Sequence, residues 1–504
     1  METINLVVLI IPFLAFSLYL ISALKSKDWL NPHGFLLFVL FLLVLLKSAD
    51  LFYGLEYEDA YIYQADSRLL VSNDSVESFR TVLESTYPDG SSQNQVYTGH
   101  FRTFSLTIGL VNKIFGYSIK SSIILNSVYS LLRLFVVFSL IFCITDNKNL
   151  ALLGSLLLLS MPAFNLFGFS GLAETSSSTF LAITLLSFYK YVFKEDQKSL
   201  ILFLIAFSAA IITKRENLYF LILFAFAAYA TRFDSKLILS ISVLLIAYFI
   251  LVRPISTEFL ESQELKAPTF SYTYIFPQVK AYFAAYTRFD YFFGIPIFTA
   301  AVTIIGLFKH PKSNLKTLSL LVFFVGFQIL YFSHYRSRYF VELLEMDAFE
   351  ALRYSNNLVW LLPIIASLAL SEMFLRIKYL NKLGLILGVL VFLLSLKPFT
   401  NLNDNLAEEE YYNRIEPVKR SVEYIQNFSD SDTCFLMSDR FVICAMFKLD
   451  NVVLSNWNSD KLHTFNSGDF LLIGENTLET INKSEFDLVF CFRNNTNCYL
   501  LEKL

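Results

Sequence analysis

Runs of apolar residues on the order of 16–22 long, enough to cross a bilayer, recur about twelve times before residue 400. They fall near 4–24, 34–53, 120–143, 149–168, 171–190, 199–213, 216–231, 237–253, 290–308, 317–333, 356–375 and 383–399. A soluble core cannot absorb this material. The 504 residues include 53 Phe and 28 Tyr, and only 16% are charged, against about 25% in an ordinary soluble domain. Rings in such numbers suit lipid-facing helices and interfacial belts. The expected fold class is a polytopic α-helical membrane protein with about twelve spans. A net charge of −3 gives no basic stripe for nucleic acid, so no nucleic-acid partner is expected. Neither a Walker A loop nor a GxGxxG element is present, so nucleotide-driven transport has no support.

Charge placement orients the spans. Basic clusters lie at Lys25 and Lys27, at Lys148, at Lys190, Lys194 and Lys198, at Arg232 and Lys236, at Lys309, Lys312 and Lys316, and at Arg376, Lys378 and Lys382. Each occupies an alternate inter-span loop, which makes all of them cytoplasmic together. The segments 54–119, 254–289 and 334–355 and both termini then lie outside. The first apolar run lacks a basic leader and is followed by Lys25, so it is expected to stay as a span. Within the outer loop 54–119, Ala60 to Leu70 and Val76 to Tyr87 are expected as short surface helices, and Phe104 to Phe115 as a juxtamembrane helix ended by Gly116.

Composition shifts after Pro398. Residues 1–399 form the expected transmembrane domain and 400–504 a small α/β domain outside the membrane. Its strand-like runs are Thr433–Ser438, Asn451–Leu454, Asp469–Ile473 and Asp487–Phe492, separated by helical patterns at Pro417–Phe428 and Arg440–Phe447. An outer compartment is oxidising. Cys491 and Cys498 flank the turn signal Arg493-Asn494-Asn495-Thr496-Asn497, so a hairpin disulfide between them is expected. Cys434 and Cys444 are a less obvious second pair.

The residues able to carry chemistry gather, in this topology, at the outer face. Glu58 and Asp59 follow the second span, and Glu174 opens the fifth. Lys214 and Arg215 occupy a tight turn with Glu216. His334, Arg336, Arg338 and Arg353 precede the eleventh span. A carboxylate can take a proton from an acceptor hydroxyl, and cations can neutralise a phosphate leaving group. Arg68 and His100 in the first outer loop are weaker substrate-binding candidates. Plainer readings exist for each. The acids are also favoured at helix N-termini by the macrodipole, Lys214 and Arg215 could anchor headgroups, and a loop histidine is commonly just solvated. Basic residues on the outer side run against the positive-inside bias, which weakens the anchoring alternative.

Four short motifs resemble a known class. Glu58-Asp59-Ala60-Tyr61-Ile62 is similar to an acidic pair written Asp-Glu or Asp-Asp-Ala-Tyr-Ile. Ile114-Phe115-Gly116-Tyr117-Ser118 looks like a Phe-Gly turn before the next span. Ser160-Met161-Pro162 with Leu172-Ala173-Glu174-Thr175 looks like a proline-ended span and a second acidic position. Thr213-Lys214-Arg215-Glu216-Asn217-Leu218 is similar to a Thr-Arg-Pro-Glu-Gly-Leu or Thr-Lys-Gly element. Together, over roughly residues 34–375, they resemble the GT-C fold glycosyltransferases that use polyprenyl-phosphate sugars: the protein O-mannosyltransferase, aminoarabinose transferase and arabinofuranosyltransferase groups. Glu58 stands where relatives usually have Asp, Arg215 where many have Pro, and Arg102-Thr103 where paired prolines often begin the next segment.

The resemblance implies an inverting hexosyl- or pentosyltransferase in a bacterial inner membrane, with its C-terminal domain periplasmic. It would move a monosaccharide from a polyprenyl-phosphate donor to a surface glycan such as lipopolysaccharide, a lipid or a protein. Glu58 or Asp59 would be the base, and Arg68, His100, Glu174, Lys214, Arg215, Arg338 and Arg353 would contact substrate. No cofactor is certain; a divalent metal at Glu58 and Asp59 stays open. The rivals are an O-antigen polymerase or ligase working on lipid-linked oligosaccharide, and a lipid or glycan flippase, which should carry charges deep inside several spans.

Overall fold

A computed structural model describes residues 2–26, 31–47, 58–71, 80–118, 120–214, 275–309, 358–376, 378–410, 415–428, 434–444, 452–492 and 498–504, with isolated positions at 447, at 326 and between 217 and 242. Apolar helices occupy most of the expected windows. They are α1 (Glu2–Ser26), α2 (Pro32–Lys47), then α5 to α9 as Ser121–Thr145, Lys148–Leu159, Pro162–Gly168, Ala173–Lys194 and Lys198–Thr213. Further on come α10 (Ile275–Thr287), which falls in the segment 254–289 expected as an outer loop, and then α11 (Ile295–Lys309), α12 (Leu361–Arg376) and α13 (Lys378–Glu410). The windows 216–231, 237–253 and 317–333 lie largely outside the described residues. Among the described residues, α5 and the Lys382–Asn401 part of α13 are each long and apolar enough to cross a membrane alone.

The window 149–168, expected as one straight span, is broken. α6 and α7 meet at 73°. Pro162 is the cause: it fits the first turn of a helix but cannot continue the preceding one. Ser160 ends α6 by donating through Oγ to the Leu156 carbonyl at 2.7 Å. Asn165 then ties the bend by donating to the Leu159 carbonyl at 2.8 Å.

Aromatic packing fills the bundle. Phe188 of α8, Phe203 and Phe207 of α9, and Phe224 form a cluster with ring centroids 4.9 to 5.9 Å apart. Close helix approach depends on glycine. A Cβ on Gly154 of α6 would collide with Ile141 of α5 and Ser367 of α12. At one end of the bundle Asp146, capping α5, lies 3.9 Å from Lys194 at the end of α8, so α5 and α8 run side by side in the same direction.

The first outer loop departs from expectation. Its first helix forms as α3 (Glu58–Val71), but residues 60–67 are buried on every side, so it is enclosed and does not lie on a surface. The second expected helix, Val76 to Tyr87, is instead strand β1 (Arg80–Thr86), paired antiparallel with β2 (Ser92–Phe101). Its β-branched Thr81, Val82 and Thr86 favour the pleat. Pro88-Asp89-Gly90 makes the turn: the Gly90 amide donates to the Tyr87 carbonyl, and Gly90 holds φ +77°, which side chains rarely tolerate. Helix α4 (Arg102–Phe115) follows.

The C-terminal segment is an α/β unit. α13 runs unbroken past residue 400 to Glu410, then come α14 (Glu416–Phe428) and α15 (Phe441–Cys444). Strands β3 (Cys434–Ser438), β4 (Val452–Asn456), β5 (Phe470–Gly474), β6 (Phe486–Phe492) and β7 (Cys498–Lys503) form one sheet in the order β4-β3-β5-β7-β6. β3 pairs parallel with β4 and β5, whereas β7 is antiparallel to β5 and β6. Strand β7 was not expected from the sequence.

The hairpin β6–β7 forms, but the expected Cys491–Cys498 disulfide does not, and both are free thiols, as are Cys434 and Cys444. Register explains this. Cys491 pairs with Tyr499, and Cys498 with Phe492. Neighbours along a strand point to opposite faces while paired residues share one, so the two sulfurs lie on opposite sides of the sheet. Burial pushes the Cys444 thiol up to about 12 and the Cys498 thiol up to about 11. Native protein at pH 8 is therefore expected to react with maleimide at half-buried Cys491 well before Cys444 or Cys498. Denatured, unreduced protein should yield all 5 cysteines as alkylated thiols by mass spectrometry. A bridged pair would contradict the register.

Candidate active site

Three elements meet around the acidic helix. Gln64 of α3 donates to the Ser118 carbonyl at 2.8 Å. Ser67 accepts from Asn112 of α4 at 3.3 Å, and Asn112 in turn accepts from the Ser118 amide at 3.3 Å and from the Ser121 hydroxyl that opens α5. A short polar helix has little propensity energy of its own, so these bonds and its enclosure fix its position. Tyr63 packs edge-on against Phe104 of α4 with centroids 5.3 Å apart. Both belong to a buried cluster with Ile108 and Ala173.

Ala173 begins α8, and the next residue is Glu174, which is fully buried. Its Oε1 lies 2.8 Å from Lys214 Nζ, whose side chain is only 11% exposed. Lys214 caps α9 in extended conformation. The turn is braced by Asn217, which donates to Ser177 Oγ at 2.6 Å and to the Ala210 carbonyl at 2.8 Å. From the other side, Thr103 of α4 donates to the Ile212 carbonyl at 2.7 Å. α4 thus contacts both the acidic helix and the segment carrying Lys214.

Residues as far as 109 apart in sequence, Thr103 and Ile212, therefore come together. Glu58 and Asp59 open α3; the description of these two, and of His100 in β2, extends to their backbone. Asp59 stands four residues before Tyr63, one turn away on the same side of the helix, and Tyr63 shares its cluster with the residue next to Glu174. Arg215, Arg338 and Arg353 lie outside the described residues, as do His334 and Arg336. Among the described residues no three His, Cys, Asp or Glu side chains converge.

Arg68 has a different setting from the one expected of a phosphate ligand. Its Nη1 donates to the Phe447 carbonyl of the C-terminal unit at 2.6 Å. Nearby, burial pushes the Tyr117 phenol up to about 12, and the Gln64 hydrogen bond and Arg68 charge partly offset this. Arg68 is thus one of several ties that seat the C-terminal unit on the first outer loop. The Ser455 hydroxyl donates to the Thr86 carbonyl, and the Asn456 amide to Ser85 Oγ at 2.7 Å. Lys461 lies 2.5 Å from Asp89 and holds that carboxylate well below its usual range, helped by bonds from Ser91. Tyr87 is buried with Met437, Phe465 and Leu471. Tyr87→Ala should cost about 3–5 kcal/mol, as large buried aromatic truncations do. Limited proteolysis should then release the C-terminal unit earlier than in wild type.

Sequence reasoning missed Arg133. It sits midway along α5 with no exposure. Its Nη1 donates to Ser178 of α8, and its guanidinium carbon is 4.6 Å from the Phe164 ring centre. The available signal was a lone charged residue in a 25-residue helix, which in a membrane is a functional-site hypothesis by default.

The fold that carries these residues is shared with solved structures. ArnT from Cupriavidus metallidurans bound to undecaprenyl phosphate superposes with a TM-score of 0.61 at 12% identity, over 94% of this chain and 99% of that one. Its apo state gives 0.58 at 12% identity, over 92% and 97%. Residues 103–256 match the family model described as dolichyl-phosphate-mannose-protein mannosyltransferase. That match spans α4 to α9 and so includes Arg133, Glu174 and Lys214. A search of curated proteins finds no match.

Proposed function

We propose that this chain is an integral membrane glycosyltransferase that takes a monosaccharide from a polyprenyl-phosphate donor and passes it to a hydroxyl of a glycan, lipid or protein at the outer face of the membrane. The observation that carries the reading is the Glu174–Lys214 pair at 2.8 Å, buried beside the acidic helix on a framework shared with a protein solved with undecaprenyl phosphate. Acidic base and cation are the two components this chemistry needs.

In this reading the acceptor proton passes to a carboxylate at the start of α3. The register with Tyr63 favours Asp59 over Glu58. The acceptor oxygen forms a bond to the anomeric carbon as the old glycosidic bond breaks, with its electron pair leaving on the lipid phosphate and configuration inverting. Lys214 meets the charge that grows on that phosphate, which lowers the barrier because the interaction strengthens in the transition state. Glu174 orients the ammonium. The C-terminal unit, seated through Arg68 and the β1–β2 hairpin, holds α3 in register.

The test is direct. Purified protein in detergent is titrated with undecaprenyl phosphate by native mass spectrometry. Membranes containing it are then supplied with labelled polyprenyl-phosphate sugars. Specific lipid-phosphate binding and label transfer that depends on the protein are expected. A folded protein that neither binds the lipid nor releases it from a labelled donor would falsify this reading.

A further inference from the structure

We propose that Asn217 is a positioning residue that sets where Lys214 stands opposite Glu174 by tying the end of α9 to α8; the inference deepens the phosphate-donor reading above and rests on it. The last carbonyls of a helix have no partner within it and must find one outside. In hydrocarbon an unmet carbonyl is costly, so the end of α9 (Lys198–Thr213) needs a cap. Asn217 supplies one. Its carboxamide donates to the Ala210 carbonyl at 2.8 Å, where the Lys214 amide also arrives at 3.0 Å. The Asn217 amide donates in turn to the Lys214 carbonyl at 3.1 Å. Both peptide groups that flank the Lys214 Cα are therefore held, one through the carbonyl that Asn217 also bonds and the other by Asn217 itself.

Capping alone would use one N–H. The Asn217 carboxamide has two, and the second donates to Ser177 Oγ of α8 at 2.6 Å. Both side chains are buried, so water does not compete for either bond. The orientation of the carboxamide is forced, because the Ala210 carbonyl can only accept. Ser177 lies three residues after Glu174, hence on the same side of α8 and about 4.5 Å further along its axis. One carboxamide thus bonds both the backbone that carries Lys214 and the helix face that carries Glu174. Lysine reaches its partner on a flexible four-carbon stem, so its ammonium stands where its Cα allows. Thr103 of α4 holds the Ile212 carbonyl from the other side at 2.7 Å, yet that bond does not fix α9 against α8. The Asn217 bond does. In the proposed transfer Lys214 meets the charge growing on the lipid phosphate, and a misplacement of about 1 Å can cost on the order of 10²-fold in rate. Asn217 need not touch the substrate to matter.

Removing the acceptor while leaving the cap separates the two roles. Acetylation of Lys214 by N-acetoxysuccinimide is followed by peptide mass spectrometry on the purified protein, with exposed Lys198 as internal reference. Undecaprenyl phosphate binding, donor turnover and thermal unfolding are measured on the same samples. Ser177→Ala removes the acceptor on α8 and keeps the bond to Ala210. Lys214 should then be acetylated roughly threefold faster than in wild type, as local opening exposes it, with little change in the unfolding midpoint. Turnover should fall about tenfold and lipid-phosphate binding by less than about threefold, because a displaced cation costs the transition state more than the ground state. Asn217→Ala loses cap and link together, and its turnover should fall by about 10²-fold. The double variant should match Asn217→Ala within about twofold, since both changes break the same bond. Ser208→Ala, which loses only a bond within α9 to the Leu204 carbonyl, should behave as wild type. An asparagine that merely caps α9 would leave Ser177→Ala at wild-type acetylation and turnover, and that result overturns the proposal. So does a double variant in which the two losses multiply. If wild type neither binds undecaprenyl phosphate nor transfers sugar while Lys214 acetylation still responds to Ser177→Ala, the functional reading falls and the tie between Asn217 and Lys214 stands.

Discussion

Asp59→Asn is expected to lower sugar transfer by about 10²–10⁴-fold, the usual cost of removing a general base. Glu58→Gln should cost less. Both residues begin α3, where the helix macrodipole favours negative charge, and each amide change keeps the size of the side chain. The asymmetry comes from register. Asp59 lies one turn before Tyr63, which packs with Phe104 and Ala173 beside Glu174; Glu58 lies one position round the helix. Donor binding should survive in Asp59→Asn, since in the proposed mechanism Lys214 and not Asp59 meets the lipid phosphate, so the loss should fall on turnover. Initial rates with labelled donor, alongside lipid binding for each variant, check this. A doubly amidated protein that transfers at the wild-type rate would remove the acidic pair from the mechanism.

Lys214→Ala should unfold easily as well as lose activity. The change leaves the Glu174 carboxylate with no exposure and without its 2.8 Å partner, and breaking one side of a buried pair typically costs about 3–5 kcal/mol. Glu174→Ala should be similar. Replacing both, as Glu174→Leu with Lys214→Met, removes the stranded charge and should regain most of the lost stability, since apolar replacements of buried pairs are often neutral or stabilising. The double variant is nonetheless expected to be inactive, because in the proposed mechanism Lys214 meets the phosphate charge. Thermal unfolding in detergent and donor turnover on the same samples separate the two roles. A stable double variant with wild-type turnover would make the pair structural only.

The sequence by itself determined what local rules control. Apolar length set the helices of the bundle, as α5, α8 and α9 illustrate, because hydrocarbon accepts only backbones that satisfy their own hydrogen bonds. Short apolar runs separated by polar turns set strands β3 to β6 and the α/β character of the C-terminal unit. The motifs around Glu58, Glu174 and Lys214 were visible as acids and bases at apolar boundaries. Turn chemistry was present as well: Pro88-Asp89-Gly90 closes the β1–β2 hairpin where a helix over Val76 to Tyr87 is expected.

Tertiary structure alone decided which of these residues meet. That Lys214 reaches Glu174, that Arg133 reaches Ser178, and that Arg68 serves the seat of the C-terminal unit all depend on side chains 40 or more positions apart. No periodicity encodes such distances, because they follow from how whole helices cross. The cysteines make the same point on a smaller scale. Spacing across a turn suggested a bridge between Cys491 and Cys498, but the pairing of Cys491 with Tyr499 turned the thiols to opposite faces. A single residue of register, set by the packing of the sheet as a whole, outweighed proximity in the chain.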